Sequence, residues 1–304
     1  MTSTFKNIAL IGASGNIGQI ILRGLLHASD FNVTVLTRSS SAATFPAGVI
    51  VRTSDFSSAD LQEAFKGQDA VISAVGATGF ADQKKYVDAA IAAGVCRFLP
   101  SEFSADTLND TVNNLLPLFF LKKDVIEYLR SKESDSFSWT GVATSGLFDW
   151  GITNRFFQFD IASRSATIWD NGDKRFTLTN EKQLEDAVVS VLRHPEATAN
   201  KYLYISSVET SQNEILAALE STTSSSWALQ HTTTDAQVAE GSKKLQSGDF
   251  DGALQLVRAI PYGITPGLKS NFAKDRVLAN GLLGLREESV QETIQRVVSE
   301  FKSN

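Results

Sequence analysis

The sequence predicts an α/β fold in which a doubly wound parallel sheet is followed by a smaller α+β domain. Up to about residue 150, short apolar runs alternate with helical patterns, as in a series of βα units. The first apolar run enters a glycine-rich turn that opens a helix, which is how a dinucleotide-binding βαβ unit begins. From residue 151 this rhythm changes. We therefore predict a Rossmann domain over residues 1–150 and a substrate-side domain over residues 151–304, with parts of about 176–210 as candidates to rejoin the first sheet.

The glycine-rich turn follows the apolar run at residues 8–11 and has the spacing G-x-x-G-x-x-G. A dinucleotide site would use Gly12 for the tight turn, Gly15 for close approach to a pyrophosphate and Gly18 for packing of helix on strand. The helix N-terminus adds free N–H groups and a positive dipole end. Because the flanking strand and helix patterns are present, we favour a cofactor site over a structural turn. The candidate residues are Gly12, Ala13, Ser14, Gly15, Asn16, Ile17 and Gly18.

Arg38 indicates which dinucleotide is bound. It follows the second apolar run, at the place where an NAD-specific site carries an acidic residue for the ribose hydroxyl. A guanidinium group with Ser39 beside it suits a 2′-phosphate instead, because its planar fork of donors matches phosphate oxygens. The alternative is a solvated surface arginine. We predict NADP(H) as the cofactor.

The third strand, at residues 49–52, leads to candidates for the adenine end of the site. Phe56 is placed to stack on the base and Asp55 to hydrogen-bond it. An equally good interpretation makes Asp55 the N-cap of a helix over Ser58–Phe65.

The fourth and fifth strands, predicted over residues 69–76 and 95–99, bracket a helix over residues 83–93. Small residues end the fourth strand, as a ligand crevice at the carboxyl edge of a parallel sheet requires. The loop after the fifth strand is where a nicotinamide ring would lie. Candidate cofactor contacts in these segments are Ser73, Val75, Gly76, Gln83, Pro100, Ser101, Glu102 and Phe103.

A helix after Pro117, over residues 118–131, leads to a sixth strand at residues 137–143. The aromatic residues Phe103, Phe148 and Trp150 are candidate walls of a substrate pocket. In the second half, residues 167–169 and 175–178 are predicted to pair as a hairpin around the Asn-Gly-Asp turn at 171–173. Further elements are predicted at residues 184–193 (helix), 202–205 (strand), 212–219 (helix), 234–246 (helix), 249–259 (helix) and 287–301 (helix).

Composition narrows the functional classes. A net charge of −6 over 304 residues argues against a nucleic-acid partner. One cysteine precludes an intramolecular disulfide, and three scattered histidines argue against a metal site. The first strand begins by about residue 5, which leaves no room for a signal peptide, and no apolar run approaches the ~20 residues of a membrane helix. We expect a cytoplasmic monomer or homodimer that acts on a small molecule and has no membrane or nucleic-acid partner.

The quoted motifs resemble those of a known family. The glycine turn, Arg38, Gln83 at a helix start and the run Arg-Phe-Leu-Pro-Ser-Glu-Phe at residues 97–103 are similar to the isoflavone reductase-like group. This group includes phenylcoumaran benzylic ether and pinoresinol–lariciresinol reductases, within the NmrA-like, atypical short-chain dehydrogenases. The resemblance covers residues 5–150 well and implies NADPH binding by the glycine loop, Arg38, Gln83 and the loop after the fifth strand.

The resemblance also implies an acid–base lysine in the helix after Pro117. Lys122 and Lys123 are both available. The family lysine is followed by apolar residues at positions +3 and +7, which Lys122 has in Val125 and Leu129. We therefore favour Lys122, which would also contact the cofactor, with Lys123 as the alternative. A solvated helix face is the structural interpretation of both.

Two features depart from related enzymes. The plant enzymes carry arginines just after the +3 position, where this chain has Ile126 and Glu127. Tyr128 and Lys132 match the Y-x-x-x-K pair of ordinary short-chain dehydrogenases, but lie too far along the helix to face a nicotinamide. We interpret that match as a coincidence.

Together these features predict an NADPH-dependent reductase of a small aromatic or enone-type substrate, with a helix lysine as acid or base. The alternative is an NmrA-like redox sensor, which binds NADP(H) without turnover and reports its level to a partner protein.

Overall fold

The computed structural model describes residues 5–303, whose backbone forms three sheets flanked by helices. The strands, in chain order, are β1 (Asn7–Ile11), β2 (Asn32–Arg38), β3 (Val49–Ser54), β4 (Ala70–Ser73), β5 (Arg97–Leu99), β6 (Ser138–Ala143), β7 (Gly146–Leu147), β8 (Phe159–Asp160), β9 (Ser165–Trp169), β10 (Phe176–Thr179), β11 (Lys201–Tyr204), β12 (Val208–Thr210) and β13 (Ala228–Thr232).

The helices, in chain order, are α1 (Asn16–Ala28), α2 (Ser58–Phe65), α3 (Gln83–Ala92), α4 (Asp110–Leu115), α5 (Phe120–Ser131), α6 (Phe148–Thr153), α7 (Glu181–Arg193), α8 (Pro195–Thr198), α9 (Gln212–Thr223), α10 (Thr234–Gln246), α11 (Asp251–Tyr262), α12 (Phe272–Asp275), α13 (Asn280–Leu283) and α14 (Val290–Ser303). Two 3-10 helices, Ala77–Asp82 and Pro117–Phe119, precede α3 and α5.

The central sheet has seven strands in the order β11-β6-β5-β4-β1-β2-β3. Every neighbouring pair in it is parallel. The chain moves outward from β1 in one direction and then returns to β4 on its other side. Ligands of open parallel sheets bind at the carboxyl ends of the strands beside such a switch point. The predicted doubly wound α/β fold is confirmed.

Helices cover both faces of the central sheet because its strands are apolar on both sides. On one face, α1 and α7 bury residues such as Ile21 and Val188 against β1 and β4. On the other, α2, α3 and α5 bury Phe65, Val87 and Ile126. The sheet, whose carboxyl edge carries the loops of the site, is thus packed between two layers of helices.

Residues beyond 151 contribute to more than one sheet. Strand β11 pairs with β6 and forms an edge of the central sheet. The remaining strands form two small sheets, β12-β10-β7 and β13-β9-β8, around an aromatic core that includes Trp169, Phe176 and Tyr262. The division at residue 150 into two domains therefore stays a prediction.

The predicted hairpin around residues 171–173 is wrong. Strands β9 and β10 flank the turn but belong to different sheets. The side-chain amide of Asn213 donates to the main-chain oxygen of Asn171 at 2.9 Å and to Asp173 at 2.6 Å. The turn is thus bound to α9, and the two strands separate because each finds another partner.

A helical pair, α10 and α11, packs over the 3-10 helices that precede α3 and α5. Leu256 and Ile260 of α11 join Phe80 and Phe119 in one apolar cluster. Within residues 5–303, no helix has both the length and the apolar character needed to cross a bilayer.

Candidate active site

A cleft opens at the carboxyl ends of β1, β2, β3 and β4, beside the switch point between β1 and β4. It gathers residues as far apart in the sequence as Ile11 and Tyr86. Residues not identified from the sequence also line it, among them Thr78, Asp82 and Tyr86, which belong to the 3-10 helix Ala77–Asp82 and to α3 and match no cofactor-binding motif. The predicted cofactor residues that line it are Gly12, Ala13, Ser14, Gly15, Arg38, Asp55, Phe56, Val75 and Gly76.

The three motif glycines have different surroundings. Gly12 has a φ of +82°, and a Cβ there would lie 2.5 Å from the Ala74 oxygen. A Cβ on Gly18 would lie 2.0 Å from the Gly12 oxygen, so this glycine permits α1 to pack on β1. A Cβ on Gly15 would meet no protein atom closer than 3.5 Å. The space in front of Gly15 is therefore open to a ligand.

Gly15 is also the N-cap residue of α1 and provides no side-chain cap. The first turn of a helix has N–H groups without intrahelical partners, and an anion satisfies them well. Asn16 and Ile17 lie in that first turn, and Asn16 is exposed. The glycine turn thus fits a phosphate by both its space and its donors.

At the other end of the cleft, Arg38 is exposed and has no ion-pair partner among residues 5–303. Ser39 is exposed beside it but does not line the cleft. Phe56 has a φ of +59°, and its ring lies 5.9 Å from the ring of Tyr86. These groups make a cationic and aromatic end to the cleft.

The interpretation of Asp55 as the N-cap of α2 is wrong. Ser57 is the cap, since its hydroxyl accepts from the Asp60 N–H at 3.3 Å. Asp55 instead accepts from the Ser57 N–H at 2.7 Å, one step earlier. Its carboxylate therefore orders the turn that presents Phe56 to the cleft.

Gln83 holds the loop after β5 and does not line the cleft. Its side-chain oxygen accepts from the Ser101 N–H at 2.7 Å, and the Ser101 hydroxyl donates to the Val75 oxygen at 2.8 Å. Pro100 and Phe103 are buried in the same loop, and Phe103 has a φ of +29°. Ser73 is buried at the end of β4. These residues are buried beneath the cleft lining and support it without lining the cleft themselves.

Lys122 lies against that loop from α5. Its Nζ donates to the main-chain oxygen of Glu102 at 2.7 Å and to the Ser104 hydroxyl at 2.9 Å. The rings of Phe80 and Phe119 cover it, with centroids 4.7 and 5.0 Å from Nζ. Only 4% of Lys122 is exposed. Burial lowers the pKa of the Lys122 ammonium to about 8, and the charge of Glu102 opposes this shift.

Lys123 leaves α5 in a different direction and contacts another residue. Its Nζ lies 2.7 Å from the Asp110 carboxylate at the surface, which raises the pKa of Lys123. Tyr128 and Lys132 also lie at the surface, where both contact Asp88. Within residues 5–303, no hydrogen bond or ion pair joins these three side chains to residues 100–104.

The side chain of Glu102 does not face the cleft. It is 1% exposed, and its Oε2 accepts from Thr107 at 2.5 Å and from Tyr202 at 2.8 Å. The sequence carried no sign of this contact, because Tyr202 lies in β11 about a hundred residues away. Burial raises the pKa of the Glu102 carboxyl group.

Of the predicted pocket walls, Phe103 and Trp150 belong to one apolar cluster and Phe148 to another. Phe148 is fully buried in the core of the second half, so its ring cannot line an open pocket in this conformation. Trp150 is partly buried, and its ring packs 5.7 Å from the ring of Phe156. Residues 5–303 contain no cluster of His, Cys, Asp and Glu that could hold a metal.

The NmrA-like family model matches residues 4–240. The chain belongs to the NmrA-like family. It is also 35% identical over 294 residues to oxidoreductase aprR of Aspergillus flavus, covering 96% of this chain and 98% of that one. The isoflavone reductase homolog IRL of Zea mays is 28% identical over 252 residues, covering 78% of this chain and 80% of that one. The predicted family resemblance is confirmed.

Solved structures of two reductases share the fold. Leucoanthocyanidin reductase from Vitis vinifera superimposes with a TM-score of 0.78 at 19% identity, over 96% of this chain and 99% of that one. A triphenylmethane reductase from Citrobacter sp., solved with NADP(H), gives a TM-score of 0.71 at 19% identity, over 96% and 99%. The NmrA-like chain described above therefore has the architecture of these reductases.

Proposed function

We propose that this protein is an NADPH-dependent reductase of a small molecule, in which Lys122 is the acid–base residue. The observation that carries the proposal is the position of Lys122, whose buried amine is held by the loop that closes the carboxyl end of β5. The same sheet edge carries the glycine turn. Relatives named as oxidoreductases over nearly the whole chain support an enzyme.

The cleft fits NADPH by the chemistry of its residues. The open space at Gly15 and the uncapped N-terminus of α1 suit the pyrophosphate. The guanidinium of Arg38, which pairs with no carboxylate of residues 5–303, suits the 2′-phosphate, and Phe56 suits the adenine. Asp55, Val75 and Gly76 line the cleft between these points.

NADPH, when bound, supplies a hydride to an electrophilic carbon of the substrate. The task of the chain is to move one proton to the oxygen that gains negative charge. Lys122 suits this task because burial brings its pKa close to neutrality, where an amine both gains and loses protons readily. The hydroxyl of Ser104 and the Glu102 carbonyl hold the amine in one orientation.

An aromatic or enone-type substrate is favoured by what surrounds the lysine. Phe80 and Phe119 present ring faces to Nζ, and α11 adds further apolar side chains behind them. Flat apolar molecules replace such contacts at little cost. Substrate access to Nζ requires one of these rings to move, since the amine is covered in this structure.

The burial of the Lys122 amine beneath the two rings also favours one alternative, a sensor that binds NADP(H) without turnover. A sensor would change its oligomeric or partner state with the NADP/NADPH ratio and would oxidise no NADPH with any substrate. The reductase would oxidise NADPH with at least one aromatic ether, enone or ketone of a substrate panel.

The test compares Lys122→Ala with the matched neighbour Lys123→Ala. We expect Lys122→Ala to lose roughly 10²–10⁴-fold in turnover and to retain NADPH binding, because a general acid contributes about that much. Lys123→Ala should behave as wild type. NADPH binding is measured by thermal shift, where 100 times the Kd stabilises by roughly 2.7 kcal/mol. Loss of turnover in Lys123→Ala alone would contradict the assignment, and no NADPH shift in wild type would contradict the cofactor.

A further inference from the structure

The proposed catalytic lysine is hydrogen-bonded to the main chain of a buried acidic residue, Glu102. We infer that Glu102 is a positioning residue for Lys122, whose main chain holds the amine and whose carboxylate supplies the negative charge that keeps the amine protonated. This inference rests on the proposed function and extends it. The contact of Glu102 with the cofactor stays a prediction.

The contacts of Glu102 join three parts of the fold. Its main-chain oxygen accepts from Lys122 in α5, and its main-chain N–H donates to Pro100 at 2.7 Å. Its carboxylate accepts from the hydroxyl groups of Thr107 and of Tyr202, which belongs to β11. The carbonyl that holds the amine is therefore fixed by a side chain anchored on the edge strand of the sheet.

The second oxygen of this carboxylate has no partner within residues 5–303. Oε1 of Glu102 is buried and has no hydrogen-bond partner among the described residues. A buried, incompletely bonded carboxylate is costly unless a nearby cation compensates it. Lys122 is the cation whose charge acts on Glu102, and the attraction favours the charged form of both groups.

Other charged groups nearby are already paired. Asp106 is buried on the same loop, but Arg276 of the segment after α12 donates to it at 3.0 Å, and Tyr204 donates at 3.2 Å. Tyr202 is a neutral donor to Glu102, and burial raises the pKa of its hydroxyl further. The charge of Lys122 is therefore the one that compensates the charge of Glu102.

The consequence is a coupling between two protonation states. Burial favours neutral forms of both groups, while their mutual attraction favours the charged pair. Removing the carboxylate charge should lower the pH at which Lys122 loses its proton. A Glu102 that only fastened the loop to β11 would leave that pH unchanged.

The test follows the titration of Lys122 itself in the full chain. In protein labelled with [¹³C]lysine, the Cε resonance of Lys122 is assigned by its absence in Lys122→Ala. Glu102→Gln keeps the shape and removes the charge, so its titration midpoint should fall by roughly one pH unit or more. Glu102→Asp retains a charge and should stay nearer to wild type. An unchanged midpoint in Glu102→Gln overturns the inference.

Tyr202→Phe is a second variant in case Glu102→Gln does not fold. It removes one donor to the carboxylate, which makes that group less acidic and should lower the Lys122 midpoint in the same direction by a smaller amount. A midpoint unchanged in Tyr202→Phe contradicts the inference as well. Folding of each variant is checked by its thermal melt.

The titration needs no substrate, so it separates the two proposals. If Lys122→Ala retains turnover while Glu102→Gln shifts the Lys122 midpoint, the proposed function fails and the coupling stands. If Lys122→Ala abolishes turnover and Glu102→Gln shifts neither the midpoint nor the pH profile, the coupling fails alone. When both hold, the high-pH decline in kcat moves to lower pH in Glu102→Gln, with KM for NADPH unchanged.

Discussion

A Cβ atom on Gly18 would lie 2.0 Å from the main-chain oxygen of Gly12, a distance that no folded protein tolerates. The glycine between them, Gly15, has no such neighbour. The glycines of this one motif are therefore needed for different physical reasons. Gly12 and Gly18 are required by the protein backbone, whereas the space at Gly15 is left for a ligand.

Alanine substitutions should therefore separate folding from binding. Gly18→Ala should destabilise the protein by roughly 1–3 kcal/mol or more, since the helix has to move off the strand. Gly15→Ala should melt close to wild type but lose the stabilisation by NADPH, because the methyl group fills the open space. Thermal melts with and without NADPH measure both. A Gly15→Ala variant that NADPH still stabilises fully would place the pyrophosphate elsewhere.

Arg38 should decide between the two nicotinamide dinucleotides. Charge-assisted hydrogen bonds contribute about 1.5–3 kcal/mol, so Arg38→Ala should weaken NADPH by roughly 10–100-fold. NADH, which lacks the 2′-phosphate, should bind the variant and wild type alike. Arg52→Ala is the matched control, because Arg52 lies on the neighbouring strand and pairs with Asp60. Equal losses for NADPH in both variants would point to general charge and not to a phosphate site.

The pH dependence of reduction should follow Lys122. The amine acts as an acid, so it must be protonated before each turnover. Because burial lowers the pKa of Lys122 to about 8, the protonated form is lost as the pH rises past that value. Turnover should therefore decline above about pH 8 when NADPH is saturating. A plateau that continues to the usual lysine range near pH 10.4 would mean that a different group supplies the proton.

Tyr128 and Lys132 test whether the short-chain dehydrogenase motif is a coincidence. Tyr128→Phe and Lys132→Ala should leave kcat and KM close to wild type, since both side chains contact Asp88 at the surface. In a short-chain dehydrogenase that used this pair, Tyr128→Phe would remove the general acid. Steady-state NADPH oxidation by the two variants, beside Lys122→Ala, gives the comparison.

The fold was predictable because parallel sheets repeat a simple pattern. Apolar runs separated by helical segments leave few arrangements, and the seven-stranded sheet is one of them. The local pattern gave a wrong prediction for the pairing of β9 with β10, because each of these strands pairs with other strands instead. The Asn-Gly-Asp turn at 171–173 is typical of a hairpin, but its side-chain contacts with Asn213 lead β9 and β10 into separate sheets.

By itself, the sequence determined the family, the parallel sheet and the glycine turn, since each depends on residues close together in the chain. Only the tertiary structure decided which way the two lysines point. Lys122 and Lys123 are neighbours, yet one is buried on the β5 loop and the other reaches Asp110. The contact between Tyr202 and Glu102 likewise depends on the tertiary structure, because it forms only when β11 pairs with β6 at the edge of the central sheet. Contacts between distant segments depend on how the strands are ordered in the sheet, and no local pattern records that order.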